Sequence, residues 1–330
     1  MATSFTRRHV VALATQLAVA TALPVRAADY PAALLQRIKM VTVSAPDLAA
    51  AETLYTKWLG HTVAERGKIS AALAASWGAP KMAGRRFVSF RPESGVDVYI
   101  RAVQSDAVAE YEQRRTTGWN AIEIIVDDVH ALAEKLKQSP YEILGGPRPL
   151  GGGGLASIHA MQIVGPSKEV LYLTCETGDR QKSNLPIPKS FVDRPFIMIL
   201  AGTDYAAMEK FYMGRLGLVA GGKYPSPVKG GVWNGFPVPE DFVFTLGVVR
   251  FAEKGNSIEL DGYPASVPQR PQRAGHLPPG IAMSSFSVRS LDALDLPYIK
   301  PPAAHYGKTR AATFVGPAGE LVELIEEPSR

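Results

Sequence analysis

Side chains that could perform chemistry are spread thinly along this sequence. The single cysteine, Cys175, excludes an internal disulfide and a metal site built from several cysteines. There is no G-x-S-x-G motif, and the run Gly151–Gly154 lacks the Gly-Lys-Ser/Thr of a phosphate loop, so it predicts a flexible hairpin or lid. Histidines stand singly: His61, after a helix end, and His130, in a first helical turn, are predicted at the surface. Any site must therefore be assembled by the fold.

Two long segments of the chain repeat one another. Residues 38–60 read IKMVTVSAPDLAAAETLYTKWLG, and residues 195–217 read PFIMILAGTDYAAMEKFYMGRLG. Each gives an apolar strand, an aspartate suited to cap a helix, an amphipathic helix and a terminal glycine. Asp47 and Asp204 are 157 positions apart, and so are Gly60 and Gly217. The chain therefore contains an internal repeat.

Two weaker copies alternate with these segments. One opens with strand 121–126 and continues as a helix over 129–136; the other opens at 283–288, with a short helix over 291–296 that Pro297 ends. Each copy is expected to finish in strands, and a proline-containing link near residue 184 divides the chain. The pattern predicts an α+β protein of four βαβββ modules, two in residues 28–184 and two in residues 185–330.

The ends of two copies carry a family resemblance. The fourth copy closes with GPAGELVELIEE and the second with GPSKEVLYLT. These hairpins resemble those of glyoxalase, bleomycin-resistance and extradiol-dioxygenase proteins, the vicinal oxygen chelate superfamily. The resemblance implies modules paired into two half-open, barrel-like domains, each around a ligand. It does not specify a function, because the superfamily includes dioxygenases, isomerases, lyases and binders.

The resemblance also implies where metal ligands would lie. First-strand positions correspond to Met40, Ala121, Ile197 and Met283, and last-strand positions to Tyr99, Tyr172, Glu259 and Glu323. Of these eight residues only the two glutamates are of a type that commonly binds a divalent metal. The resemblance therefore leaves open whether a divalent metal binds in the C-terminal domain, and it requires no cofactor. His305 could approach Glu323. Extradiol cleavage is disfavoured, because it needs two histidines and a carboxylate.

Residues of the same strand parity should face the clefts. In the N-terminal half they include Glu123 and six candidate substrate-binding residues: Met40, Thr42, Tyr99, Arg101, Tyr172 and Thr174. This apolar and aromatic floor with a few polar groups is typical of a small-molecule site. Glu123 is either a proton-transfer group with a raised pKa or the partner of Arg101 in a salt bridge.

The first 27 residues read as an export signal. Arg7 and Arg8 precede an apolar stretch and Val25-Arg26-Ala27, an order typical of a cleaved leader of the twin-arginine type. Removing three arginines and no acid lowers the formal charge from +5 to +2. We therefore expect a periplasmic or secreted protein that binds neither nucleic acid nor, after cleavage, a membrane.

Three functional hypotheses remain open from the sequence. The first is an exported protein that binds or transforms a small, partly aromatic molecule without the usual histidine-based metal site. The second is a divalent-metal lyase or isomerase of the glyoxalase type that uses Glu259 and Glu323. The third is a non-catalytic structural or interaction module. A homodimer is a further expectation.

Overall fold

A computed structural model describes residues 34–327, so the predicted leader lies outside the described residues. The four modules are present in chain order. The first contains β1 (Leu35–Ala45), α1 (Leu48–Thr53), β2 (Thr62–Lys68), α2 (Ala71–Ser76), β3 (Arg86–Arg91) and β4 (Tyr99–Gln104). The second contains β5 (Gly118–Val126), α3 (Val129–Leu136), β6 (Glu142–Pro149), β7 (Ile158–Val164) and β8 (Val170–Glu176).

The second half of the chain repeats this order. The third module contains β9 (Val192–Gly202), α4 (Tyr205–Glu209), β10 (Val219–Pro227), the short pair β11 (Val232–Trp233) and β12 (Phe236–Pro237), β13 (Val243–Arg250) and β14 (Ser257–Gly262). The fourth contains β15 (Gly280–Val288), β16 (Ala303–Tyr306), β17 (Thr309–Val315) and β18 (Leu321–Glu326). Within residues 34–327 no helix is long and apolar enough to cross a membrane.

Local signals of the repeat are confirmed. The side chains of Asp47, Asp128 and Asp204 accept hydrogen bonds from backbone N–H groups in the first turns of α1, α3 and α4. Gly60 and Gly217 adopt left-handed conformations after the helices, with φ of 73° and 70°. The predicted helix over 291–296 is wrong, because these residues form turns. Pro297 disfavours a helical conformation at Leu296 and prevents the segment from lengthening into a helix.

Sheet pairing differs from the expected pairing within each half of the chain. One eight-stranded sheet joins the first and fourth modules in the order β16-β17-β18-β15-β1-β4-β3-β2, and we call it the outer-pair sheet. The other joins the second and third modules in the order β10-β13-β14-β9-β5-β8-β7-β6, and we call it the inner-pair sheet. The first strands pair antiparallel across each centre, β1 with β15 and β5 with β9. The division into two self-contained halves, 28–184 and 185–330, is therefore corrected: each eight-stranded sheet draws on both halves.

Two equivalent contacts join the sheets to each other. The Tyr55 hydroxyl of the first module donates to Glu169 Oε1 of the second at 3.2 Å. The Tyr212 hydroxyl of the third donates to Glu320 Oε1 of the fourth at 2.7 Å. Both glutamates also accept from backbone N–H groups of their own hairpins. These tyrosine–glutamate contacts link consecutive modules, whereas the sheets link the first with the fourth and the second with the third.

The contacts explain the glycine of each Gly-Pro hairpin. A Cβ atom at Gly165 would lie 2.4 Å from the Glu169 carboxyl group, and one at Gly316 would lie 2.0 Å from that of Glu320. Only glycine leaves the space that the buried carboxyl occupies. The glycine of each Gly-Pro hairpin thus makes room for the tyrosine–glutamate contact that joins the two sheets.

Candidate functional site

The concave face of the outer-pair sheet, the outer-pair cleft, is occupied by its own side chains. Glu323 on β18 is 0% exposed and accepts hydrogen bonds from Trp77 Nε1 at 2.9 Å, Ser285 Oγ at 2.7 Å and the Tyr306 hydroxyl at 2.9 Å. Arg101 on β4 is 2% exposed, with its NH2 group 3.9 Å from Glu323 Oε2. Its guanidinium also donates to Thr42 Oγ1 at 2.9 Å and lies 4.6 Å from the centre of the Trp77 ring. Both charges are thus paired and hydrogen-bonded.

An insertion covers this cleft. Residues 69–82, between β2 and β3, contain α2 and place Trp77 and Met82 in an apolar cluster with Met283 of the fourth module. The third module also has an insertion at this point, residues 228–242, whose Trp233 packs with Ala201 and Tyr263, but only the first module has an α-helix there. Met40 and Thr42 are buried beside the network, and Tyr99 is half-buried at the rim. The outer-pair cleft is therefore closed by the protein itself.

Three carboxyl groups converge on the concave face of the inner-pair sheet, the inner-pair cleft. Glu123 lies on β5 opposite Ile197 of β9, and Glu259 lies on β14 opposite Ile199 of the same strand. Asp261 follows Glu259 by two residues, so its side chain points to the same face. Glu123 is 6% exposed, Asp261 is 8% exposed and Glu259 is half-buried. The acids thus come from both halves of the chain.

The walls of the inner-pair cleft are apolar and only partly covered. An apolar cluster forms the floor from Ala121, Leu144, Val170, Tyr172, Ile197 and Ile199. Leu246 and Val248 on β13 are the cross-strand partners of Asp261 and Glu259, and both are half-buried. Tyr263 hydrogen-bonds with Asn120 at 3.1 Å beside the acids. An apolar cleft with few convergent polar groups is the usual form of a small-molecule site.

Burial and mutual repulsion keep these acids protonated at unusually high pH. Burial raises the pKa of Glu123 from 4.5 to about 7, although a 2.6 Å hydrogen bond from Thr174 Oγ1 opposes the change. Burial and the negative charges of Asp261 and Glu123 raise the pKa of Glu259 well above its ordinary value. The pKa of Asp261 is also raised by burial, against the attraction of Arg114. Near neutral pH the cleft therefore contains both proton donors and proton acceptors.

Hydrogen-bonding capacity is left over in the inner-pair cleft. Asp261 Oδ1 is buried and has no partner among the described residues. Arg114 is half-buried and makes no ion pair within 4.0 Å in the part of the chain that is described. These groups lie where a ligand or water would contact them.

The structure divides the predicted site residues between the two clefts. Met40, Thr42, Tyr99 and Arg101 belong to the outer-pair cleft, and Tyr172 and Thr174 lie with Glu123 in the inner-pair cleft. The suggested Arg101–Glu123 salt bridge is wrong, because β4 and β5 belong to different sheets and Arg101 pairs with Glu323.

Sequence reasoning missed groups that lie outside the strands and helices it identified. Trp77 comes from the insertion, Arg114 from the loop before β5 and Tyr306 from the end of β16. For Trp77 a signal was available, since long insertions follow β2 and β10 but not β6 and β16. His305 was considered as a group that could approach Glu323, but the hydroxyl of the next residue, Tyr306, makes that contact. His61 is 3% exposed and not at the surface; burial lowers its pKa to about 4, and Nε2 lies 3.0 Å from the Asp193 carbonyl.

The donor groups do not fit the metal centre that the resemblance implies. Glu259 and Glu323 lie in separate sheets, so the prediction that they share one metal site is corrected. Glu323 is already saturated by three donors and faces Arg101. In the inner-pair cleft Glu123 and Glu259 flank β9 without an imidazole beside them. Among residues 34–327, no group of three or more His, Cys, Asp and Glu side chains is arranged to hold a metal ion.

Comparisons with known proteins agree with this architecture. Residues 37–169 match the family model described as the Glyoxalase/Bleomycin resistance protein/Dioxygenase superfamily. Glyoxalase I from Zea mays is 19% identical, over 88% of this chain and 92% of that chain, with a TM-score of 0.59. The chain has a glyoxalase-type fold. A putative dioxygenase from Bacillus subtilis subsp. subtilis str. 168 is 12% identical, over 90% of this chain and 87% of that chain, also with a TM-score of 0.59. No curated protein matches the chain.

Proposed function

We propose that the inner-pair cleft binds a small, partly aromatic organic molecule and that Glu123 transfers a proton to or from it. The observation that carries the proposal is the convergence of Glu123, Glu259 and Asp261 in one half-open cleft with an apolar floor. The outer-pair cleft offers no comparable space, because its polar groups are buried and satisfy one another. Only one of the two clefts is therefore suited to a ligand.

Each group in the cleft has a chemical task in this proposal. Tyr172 and the isoleucines of β9 contact the aromatic part of the molecule. With a pKa of about 7, Glu123 is present in both protonation states near neutral pH, which suits a general acid or base. Thr174 holds one carboxyl oxygen of Glu123 at 2.6 Å, which leaves the other oxygen for the ligand. The half-buried Arg114 supplies a positive charge to the site.

Binding can be tested with three aromatic probes of similar size and different charge: phenethyl alcohol, phenethylammonium and phenylacetate. We expect calorimetry to detect at least one of them. Tyr172→Ala should weaken that binding about tenfold or more, in line with the loss of one buried aromatic contact. Tyr99→Ala is the matched control, because Tyr99 holds the equivalent last-strand position in the closed cleft. Equal effects of the two substitutions, or no binding of any probe, would contradict the proposal.

Proton transfer has its own test. Phenylacetone carries a carbon acid next to a carbonyl group, and its exchange of hydrogen for deuterium in heavy water can be followed by NMR. The protein should accelerate this exchange, and Glu123→Gln should abolish the acceleration, whereas Glu134→Gln on the exposed face of α3 should not. If Glu123→Gln exchanges phenylacetone as fast as the unchanged protein, Glu123 is not the proton-transfer group.

We also propose that the protein is exported in a folded state. The support is the order of residues 1–27, in which two arginines, an apolar stretch and a small-residue cleavage signal follow one another. A periplasmic or secreted location follows from this leader. Mass spectrometry of the protein recovered from the cell envelope should give an N-terminus at Ala28, and an intact leader on all of the protein would contradict the proposal.

A further inference from the structure

Two imidazoles meet on the helix-covered face of the second module, outside both clefts. His130 is an exposed residue in the first turn of α3, and His159 is half-buried on β7. The next residue, Ala160, pairs with Thr174 and shares its cleft-facing side, so His159 points to the opposite face. We propose that His130 and His159 form a chelating site for a divalent transition metal ion, with Cu²⁺ preferred to Zn²⁺.

The separation of the two nitrogens carries the proposal. His130 Nε2 lies 2.7 Å from His159 Nδ1, and the ring planes are inclined at 64°. Metal–imidazole bonds of about 2.0–2.1 Å require the two nitrogens to lie about 2.9 Å apart for a right-angled geometry and about 3.4 Å apart for a tetrahedral one. The pair needs to open by only about 0.2 Å for the first and about 0.7 Å for the second. The right-angled, tetragonal arrangement is typical of Cu²⁺ and Ni²⁺, and nitrogen ligands generally bind Cu²⁺ more tightly than Zn²⁺.

Protonation of the pair is compatible with metal binding. A contact of 2.7 Å between two imidazole nitrogens requires one ring to donate its N–H to the lone pair of the other. Chelation requires both facing nitrogens to be deprotonated, so the donating ring moves its proton to its far nitrogen. Both rings remain neutral, and the hydrogen bond between them is replaced by two metal–nitrogen bonds.

Neighbouring groups define the rest of the site. Asp128 accepts hydrogen bonds from the backbone N–H groups of His130 and Ala131, and its negative charge offsets the positive end of α3 next to a bound cation. Cys175 lies opposite His159 in the register of β7 and β8, but its side chain is buried and burial raises the pKa of its thiol. The protein therefore provides two nitrogen ligands, and water completes the coordination on the exposed side.

The test is calorimetric titration of the full chain with copper(II) chloride in a non-coordinating buffer, with electron paramagnetic resonance of the product. We expect one Cu²⁺ per pair, a spectrum with nitrogen ligands, and a loss of affinity of tenfold or more in both His130→Asn and His159→Asn. Asparagine retains hydrogen-bonding capacity, so the fold should survive, as circular dichroism will check. His276→Asn is the matched control, since His276 is half-buried and its Nδ1 lies 3.3 Å from the backbone carbonyl of Ala274, away from the pair.

The results that would overturn the site are equally definite. If both asparagine variants bind Cu²⁺ within twofold of the unchanged protein, the pair is not the chelating group. If Zn²⁺ binds as tightly as Cu²⁺, the nitrogens have opened to a tetrahedral geometry and the preference is wrong. Binding of the aromatic probes does not depend on this site, so His159→Asn should leave it unchanged.

Discussion

Replacing Glu123 by glutamine should stabilise the protein at alkaline pH and leave its stability almost unchanged in acid. Glu123 is 6% exposed, and its hydrogen bond from Thr174 can be kept by the amide oxygen of glutamine. Glutamine has nearly the shape of a protonated glutamic acid but cannot ionise. The substitution therefore removes the charge and little else.

The magnitude follows from the two pKa values of Glu123. Below pH 4.5 the carboxyl is protonated in both the folded and unfolded states, so its ionisation does not affect stability. Between pH 4.5 and about 7 the unfolded chain loses the proton first, and the folded state is progressively destabilised. Above about pH 7 the difference is constant, at about 3 kcal/mol. Glutamine should thus raise the free energy of unfolding by about 3 kcal/mol at pH 8 and by less than about 0.5 kcal/mol at pH 4.5.

Urea unfolding at several pH values, followed by tryptophan fluorescence, measures this difference. Glu134→Gln is the control: Glu134 is exposed on α3 and pairs only with Lys137, so its effect should be small at every pH. A Glu123→Gln variant that gains no stability between pH 4.5 and pH 8 would refute the reasoning. It would mean that Arg114 or water stabilises the charged carboxylate inside the cleft to the same extent as bulk solvent stabilises it in the unfolded chain.

Three other substitutions test separate parts of the structure. Arg101→Met leaves Glu323 buried without its cation and should lower the free energy of unfolding by about 3–5 kcal/mol. Arg66→Met, at an exposed ion pair, should lower it by less than about 1 kcal/mol. Similar losses in the two variants would contradict the account of the outer-pair cleft. Tyr55→Phe removes the hydroxyl that contacts Glu169 and should lower the free energy of unfolding, measured in urea, by about 1–2 kcal/mol. Tyr224→Phe is the control, because Tyr224 is exposed and its substitution should leave the free energy of unfolding nearly unchanged. Replacing Arg7 and Arg8 by lysine should retain the folded protein inside the cytoplasm, as cell fractionation will measure, and undiminished export would exclude the twin-arginine route.

Much of the module was predictable because its signals are local. An aspartate before a helix caps it whatever the rest of the chain does, and a glycine after the helix permits a left-handed turn. Strand alternation likewise identified Glu123 as a residue of a concave face, and the family resemblance pointed to Glu259 and Glu323. The short fourth helix failed, because Pro297 disfavours a helical conformation at the residue before it and the segment cannot extend past it.

The candidate site was predictable only in part, because it depends on which modules meet. Glu123 and Glu259 were both identified, but they were assigned to different domains. The alternative that paired Arg101 with Glu123 was wrong for the same reason. Trp77 lies in an insertion and Tyr306 lies at the end of β16, a strand that the sequence pattern did not identify, so strand alternation was not applied to either residue.

The amino-acid sequence by itself determined four similar modules, their helix ends and the faces of their strands. Only the tertiary structure decided that the first module pairs with the fourth and the second with the third. The physical reason is that the first strands of all four modules present similar apolar edges, so local pattern does not distinguish among the partners. The choice rests on packing across the whole chain, including the tyrosine–glutamate contacts between consecutive modules. That choice closes one cleft around Glu323 and brings three acids together in the other.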